Sequence, residues 1–165
     1  MNMLKLITIA DTVTLAGAAA GFVSILFSIR QEFALAAVCM LAAAALDWAD
    51  GRVARWQRTA HAFGKELDSL ADTVSFGVAP AVFGYMFAGG IFALITGIFF
   101  LACGIARLAR FDITKQHGFF EGVPITTNGV VFPALYFVGM PATLIPVLFA
   151  GMGLLMVSSI PIKKL

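Results

Sequence analysis

The sequence predicts an all-α integral membrane protein, a six-transmembrane-helix bundle with a polar cavity facing the cytoplasm. Three observations carry this expectation. Hydrophobic residues make up 61% of the 165-residue chain and charged residues only 12%, a balance far from that of soluble domains. The apolar residues fall into six blocks, at residues 13–29, 33–46, 73–87, 91–106, 129–140 and 142–160. With both termini inside, Lys5, Arg52, Arg55, Arg58, Lys65, Arg107, Arg110, Lys115, Lys163 and Lys164 are cytoplasmic and only Arg30 is outside, as the positive-inside rule asks of an even number of spans.

The elements follow in order. Asp11 stands ahead of the first apolar block, where its short side chain can N-cap the first helix. Lys5 leads into this span with no cleavage-site pattern, so the segment is expected to stay attached. The second block is shorter than the ~20 residues a span needs and is expected to run on through polar residues to about Trp56. The third helix then starts near Lys65, with "QRTAHAFG" as the cytoplasmic turn and Gly64 as the place where it tightens. The fourth block ends in "GIARLARF", and the fifth is the weakest span. Pro80, Pro133, Pro141 and Pro146 bend or break apolar segments, which is tolerated where neighbours satisfy the freed carbonyls. Cys39 and Cys103 lie inside apolar blocks and read as small buried hydrophobes, while His61 and His117 read as loop histidines. Without repeats or linkers, residues 1–165 form a single membrane domain. The net charge of +2 gives no reason to expect a nucleic-acid partner.

The short segment "DWADGRVAR" at residues 47–55 needs a reason for its charges, because each is costly inside a bilayer. Measured from Thr59, Asp50 and Asp68 are equally distant along the chain, and Asp47 and Asp72 nearly so. Antiparallel helices rising about 1.5 Å per residue would therefore stack the four carboxylates in two levels. Asp47 and Asp50 are an i,i+3 pair, Asp68 and Asp72 an i,i+4 pair, so each pair shares one helical face. Four converging carboxylates in a low-dielectric setting need protons or a cation. Hard divalent ions such as Mg²⁺ or Mn²⁺ prefer oxygen ligands, and two can be clamped ~3.5–4 Å apart, so two metals are expected. Ala49, Gly51 and Ala54 would leave room for a phosphate to approach the helix. Solvated turn aspartates and salt bridges are the plainer alternative, weakened here by the two matched pairs.

The spacing Asp47, Asp50-Gly51, Ala54-Arg55, Gly64, Asp68, Asp72 resembles the complete signature of the CDP-alcohol phosphotransferase family. The resemblance implies a membrane transferase that breaks the diphosphate of a CDP-linked substrate, moves the substituted phosphoryl group to an alcohol and releases CMP. It implies Asp47, Asp50, Asp68 and Asp72 as metal ligands and Asp72 as general base. Gly51, Ala54 and Arg55, with Gly64, match positions that line the nucleotide and diphosphate. It also implies a homodimer. One departure concerns "IADTVT": many relatives open the first helix with Pro-Asn, whose amide can donate hydrogen bonds that the Asp11 carboxylate cannot.

The acceptor is read from "GIARLARFDITKQHGFFEGVPIT". Arg107 and Arg110 share a face and can bind an anionic acceptor or the lipid-side phosphate, although arginines at a helix end are also ordinary anchors. "LARF", a loop and "GVP" resemble the phosphatidylserine synthase branch of the family, so L-serine is the expected acceptor and a CDP-activated lipid (CDP-diacylglycerol type) the donor. Arg107 or Arg110 would meet the serine carboxylate, and Asp112 or Glu121 its ammonium. Asp47 lies about 21 Å along its helix from Phe33, a depth that lets a CDP headgroup enter while its tails stay in membrane lipids. Glycerol 3-phosphate or inositol phosphate would be the alternative acceptors. A divalent-cation channel or transporter is the rival of another class, disfavoured because the acids cluster near one face and no inverted repeat is visible.

Overall fold

The computed structural model describes residues 7–57, 61–114, 120–159 and 161–162. Helices α1 (Ile9–Ile29) and α2 (Phe33–Gln57) form a hairpin. Next comes one continuous rod, made of α3 (Ala62–Asp72), a π-helical stretch Thr73–Val78 and α4 (Ala79–Ala88). Gly89 and Gly90, at φ 65° and 78°, turn the chain into α5 (Gly90–Thr114), a left-handed step that glycine takes without steric cost. Short 3₁₀ turns then lead into α6 (Asn128–Phe137) and α7 (Ile145–Val157). Strands β1 (Phe120–Glu121) and β2 (Pro161–Ile162) form one antiparallel pair beside this all-α membrane bundle.

Six spans were expected, and among the described residues four helices have the length and composition for one. Ile9–Ile29, Phe33–Trp56, Ala62–Ala88 and Gly90–Arg110 are long and apolar enough to cross a membrane. Ile125–Phe137 and Ala142–Val157 are shorter; thirteen residues cover only about 20 Å of a ~30 Å hydrocarbon core.

Two expectations are corrected near the polar end. Thr8, not Asp11, is the N-cap of α1, and Asp11 is the third helical residue, closing a reciprocal capping box with Thr8. Gly64 lies inside the first turn of α3, whose N-cap is His61; the connection itself is tighter than "QRTAHAFG" suggested because α2 runs to Gln57 and α3 begins at Ala62. Lys5, Arg58, Lys115, His117, Lys163 and Lys164 lie outside the described residues, as do the side chains of Asp112 and Glu121.

Packing differs along the bundle. Between α1, α2 and the rod the contacts are close and made by small residues: a Cβ on Gly21 would stand 2.6 Å from Ser75 Oγ. On the far side an aromatic core of Phe83, Phe100, Phe132 and Phe149 is sealed from solvent. Phe100, Phe132 and Phe149 have ring centroids 5.2–5.6 Å apart, within the range of favourable aromatic pairs. Cys39 is half-buried and Cys103 buried, both free.

Candidate active site

Helical periodicity fixes the acidic faces. Asp47 and Asp50 from α2 turn toward Asp68 and Asp72 from α3, and α1 closes the third side. Carboxylate oxygens of Asp47, Asp50 and Asp68 lie within 4.8 Å of one another, and Asp72 lines the same narrow cleft as all three. Asp50 and Asp72 are buried, at 6% and 9% exposure. All four line a narrow cleft with Gly17, Ala43, Ser75 and Phe76. Thr14, Asp50 and Asp68 are shared with a roomier cavity of about 220 Å³.

Alpha-1 holds this site in place by side-chain bonds. Thr14 Oγ1 lies 2.6 Å from Asp50 Oδ2 and 3.2 Å from Ala10 O. A hydroxyl has one proton to give, and the shorter, charge-assisted partner is Asp50. Asp11 Oδ2 accepts from Thr8 N at 2.7 Å and Thr8 Oγ1 at 2.9 Å, and His61 Nε2 is 3.2 Å from the same oxygen. His61 Nδ1 accepts the Gly64 N–H at 2.9 Å, so the donor to Asp11 is Nε2–H. This clasp joins the N-terminal ends of α1 and α3 across the cavity. It also explains the glycine, since a Cβ at 64 would stand 2.7 Å from Asp11 Oδ1 and 3.0 Å from His61 Cε1.

The sequence-predicted residues sort plainly. Asp47, Asp50, Asp68 and Asp72 come together, and Gly51, Ala54 and Gly64 line the larger cavity. Arg55 is exposed on α2 and stands off that cavity's wall. Arg107 is buried on α5, and Arg110 donates to the carbonyls of Val157 and Ser158 at 3.4 and 3.1 Å, at the end of α7; neither lines the two cavities. Thr14, Lys65 and the Asp11–His61 clasp were missed. For Thr8 and Asp11 a signal existed, because threonine followed three residues later by an acid is a helix-start pattern. Nothing local links His61 to a residue fifty positions earlier.

The donor set fits a divalent cation. Three carboxylates within 4.8 Å can be bridged by an ion that takes oxygen ligands at about 2.0–2.6 Å, and buried acids otherwise repel one another.

Known proteins place this arrangement. The chain is 36% identical over 160 residues to the archaetidylserine synthase of Methanothermobacter thermautotrophicus, covering 93% of this chain and 69% of that one. It is 38% identical over 160 residues to the CDP-diacylglycerol–serine O-phosphatidyltransferase of Methanocaldococcus jannaschii, covering 97% and 76%. The enzyme of the same name from Saccharomyces cerevisiae is 38% identical over 153 residues, covering 77% and 52%. The profile of the CDP-alcohol phosphatidyltransferases matches residues 7–162, which takes in every helix and both cavities, and the chain belongs to that family.

Proposed function

We propose that this chain transfers the phosphatidyl-type group of a CDP-activated lipid to L-serine, releasing CMP and forming a phosphatidylserine-type lipid. The observation that carries the reading is the convergence of four aspartates beside a cavity of about 220 Å³ with small-residue walls. The serine-synthase names of the relatives supply the acceptor, and family membership disposes of the cation-transport alternative.

In this reading Asp47, Asp50, Asp68 and Asp72 hold divalent cations, Mg²⁺ or Mn²⁺, two per site. Bound there, the cations neutralise the diphosphate oxygens and stabilise the departing CMP. Thr14 orients Asp50, and Gly51, Ala54 and Gly64 let the nucleotide and diphosphate approach the backbone. Lys65 adds positive charge at the cavity wall, and Arg55 meets the phosphates from outside it. Asp72 accepts the proton of the serine hydroxyl as its oxygen forms a bond to the lipid-bearing phosphorus, and the bond from that phosphorus to the CMP oxygen breaks. Arg107 and Arg110 serve the acceptor or the lipid phosphate from the α5 end. The cavity opens to the cytoplasm, residues 1–165 act as one membrane domain, and two copies form a homodimer.

The test is CMP release by purified protein with a CDP-activated lipid and Mn²⁺ or Mg²⁺, comparing L-serine with glycerol 3-phosphate and inositol phosphate. Stimulation by serine alone is expected. Stimulation only by another acceptor would keep the aspartate chemistry and discard the serine assignment.

A further inference from the structure

Directly after Asp72 the rod changes its winding. Thr73–Val78 is π-helical, and Ala79 donates its N–H to Val74 O, five residues back. The cause lies just beyond. Proline has no N–H, and its ring collides with the carbonyl four residues earlier; for Pro80 that carbonyl belongs to Phe76. A regular α-helix would therefore leave Phe76 O without its usual donor inside an apolar bundle, where bare carbonyls are costly.

The replacement donor comes from another helix. Asn128 Nδ2, at the start of α6, lies 3.3 Å from Phe76 O. Asn128 is fully buried, and the contact sets its amide orientation, since the flipped group would turn oxygen toward oxygen. Gly129 makes the approach possible, because a Cβ there would stand 2.5 Å from the Phe76 ring. Phe76 in turn lines the narrow cleft with all four aspartates, and Ser75 of the same turn donates to Gly17 O on α1 at 3.2 Å. A π turn accommodates one extra residue, which changes the phase between Asp72 and the helix beyond it by about 100°.

We propose that Asn128 is a positioning residue for Asp72: by holding Phe76 O within the turn that Pro80 imposes, it fixes the face on which Asp72 meets Asp47. The inference rests on the role given to Asp72 above. It separates Asn128 from the acceptor-binding groups, because the residue acts through the rod and lines neither the cleft nor the larger cavity.

The experiment measures CMP release from CDP-diacylglycerol and L-serine with Mn²⁺, using the full chain, in Asn128→Ala, Pro80→Ala and the double variant, with Asp72→Asn as reference. Asn128→Ala should lower kcat about tenfold or more, with KM for both substrates held within about twofold. In the Pro80→Ala background residue 80 brings its own N–H, so the same substitution should lower kcat by less than about threefold. Should Asn128→Ala fail to fold, Asn128→Leu keeps the volume without the donor and is read in the same two backgrounds. An equal loss in both backgrounds, or a loss confined to the KM for serine, overturns the proposal. Full activity of Asn128→Ala beside an inactive Asp72→Asn overturns it alone, whereas an active Asp72→Asn brings down both this inference and the assigned role of Asp72.

Discussion

The two halves of the bundle bury different chemistry. Asp11, Thr14, Ser24, Ser28, Asp50, Asp72 and Ser75 are buried polar residues of the N-terminal half, whereas among the described residues of the C-terminal half only Arg107 and Asn128 are. The large sealed aromatics mostly run the other way: Phe76 belongs to the first half, but Phe83, Phe100, Phe132 and Phe149 stand on the rod's far end, α5, α6 and α7. In lipid, polar groups favour association only where partners satisfy them, and the first half supplies those partners by close approach at Gly21 and Gly64. The second half is held by ring packing, which is not directional in the same way. On the proposed reading one half reacts and the other holds it still.

That division can be broken at its strongest point. Asp68→Asn removes a ligand charge with little change in volume, and CMP release should fall by about a thousandfold or more, with the helices intact by circular dichroism. Full activity would remove the two-metal reading. The opposite half should fail differently: Phe149→Ala opens a hole among Phe100, Phe132 and Gly84, and should cost ~3–5 kcal/mol of stability in detergent unfolding. Turnover per folded molecule at low temperature should stay near wild type. A large loss of turnover without loss of stability would mean that the aromatic half takes part in chemistry.

The smallest effect sharpens the boundary of the reactive half. Thr14→Val keeps the shape and deletes the hydroxyl that meets Asp50 at 2.6 Å. About a tenfold fall in kcat/KM is expected, the worth of one hydrogen bond to a charged group. No change would show that Asp50 is held by its helix alone.

Much of the reactive half was legible because it depends on periodicity. Asp47 with Asp50, and Asp68 with Asp72, share helical faces by spacing, and two helices joined by a short turn must meet antiparallel. Gly64 was legible as a required glycine, though not for its reason, since the atom it avoids belongs to Asp11 on another helix. The π turn was not legible. Pro80 announces a disturbance, but whether the rod kinks, breaks or rewinds depends on a donor from Asn128, 52 residues beyond Phe76. Arg110 illustrates the same limit: its spacing placed it on a face with Arg107, but its bonds to the carbonyls of Val157 and Ser158, at the end of a helix 47 and 48 residues on, had no local signal.

The contact between Asn128 and Phe76 also has a place in time. Every residue lining the two cavities comes from the first 76 positions, so the reactive cleft is already made of synthesised chain when the latch is still to be translated. At ~5–20 residues per second, the 52-residue separation amounts to about 3–10 s of ribosome travel. For that interval the chain holds all four aspartates while the residue that fastens the rewound turn has yet to be made.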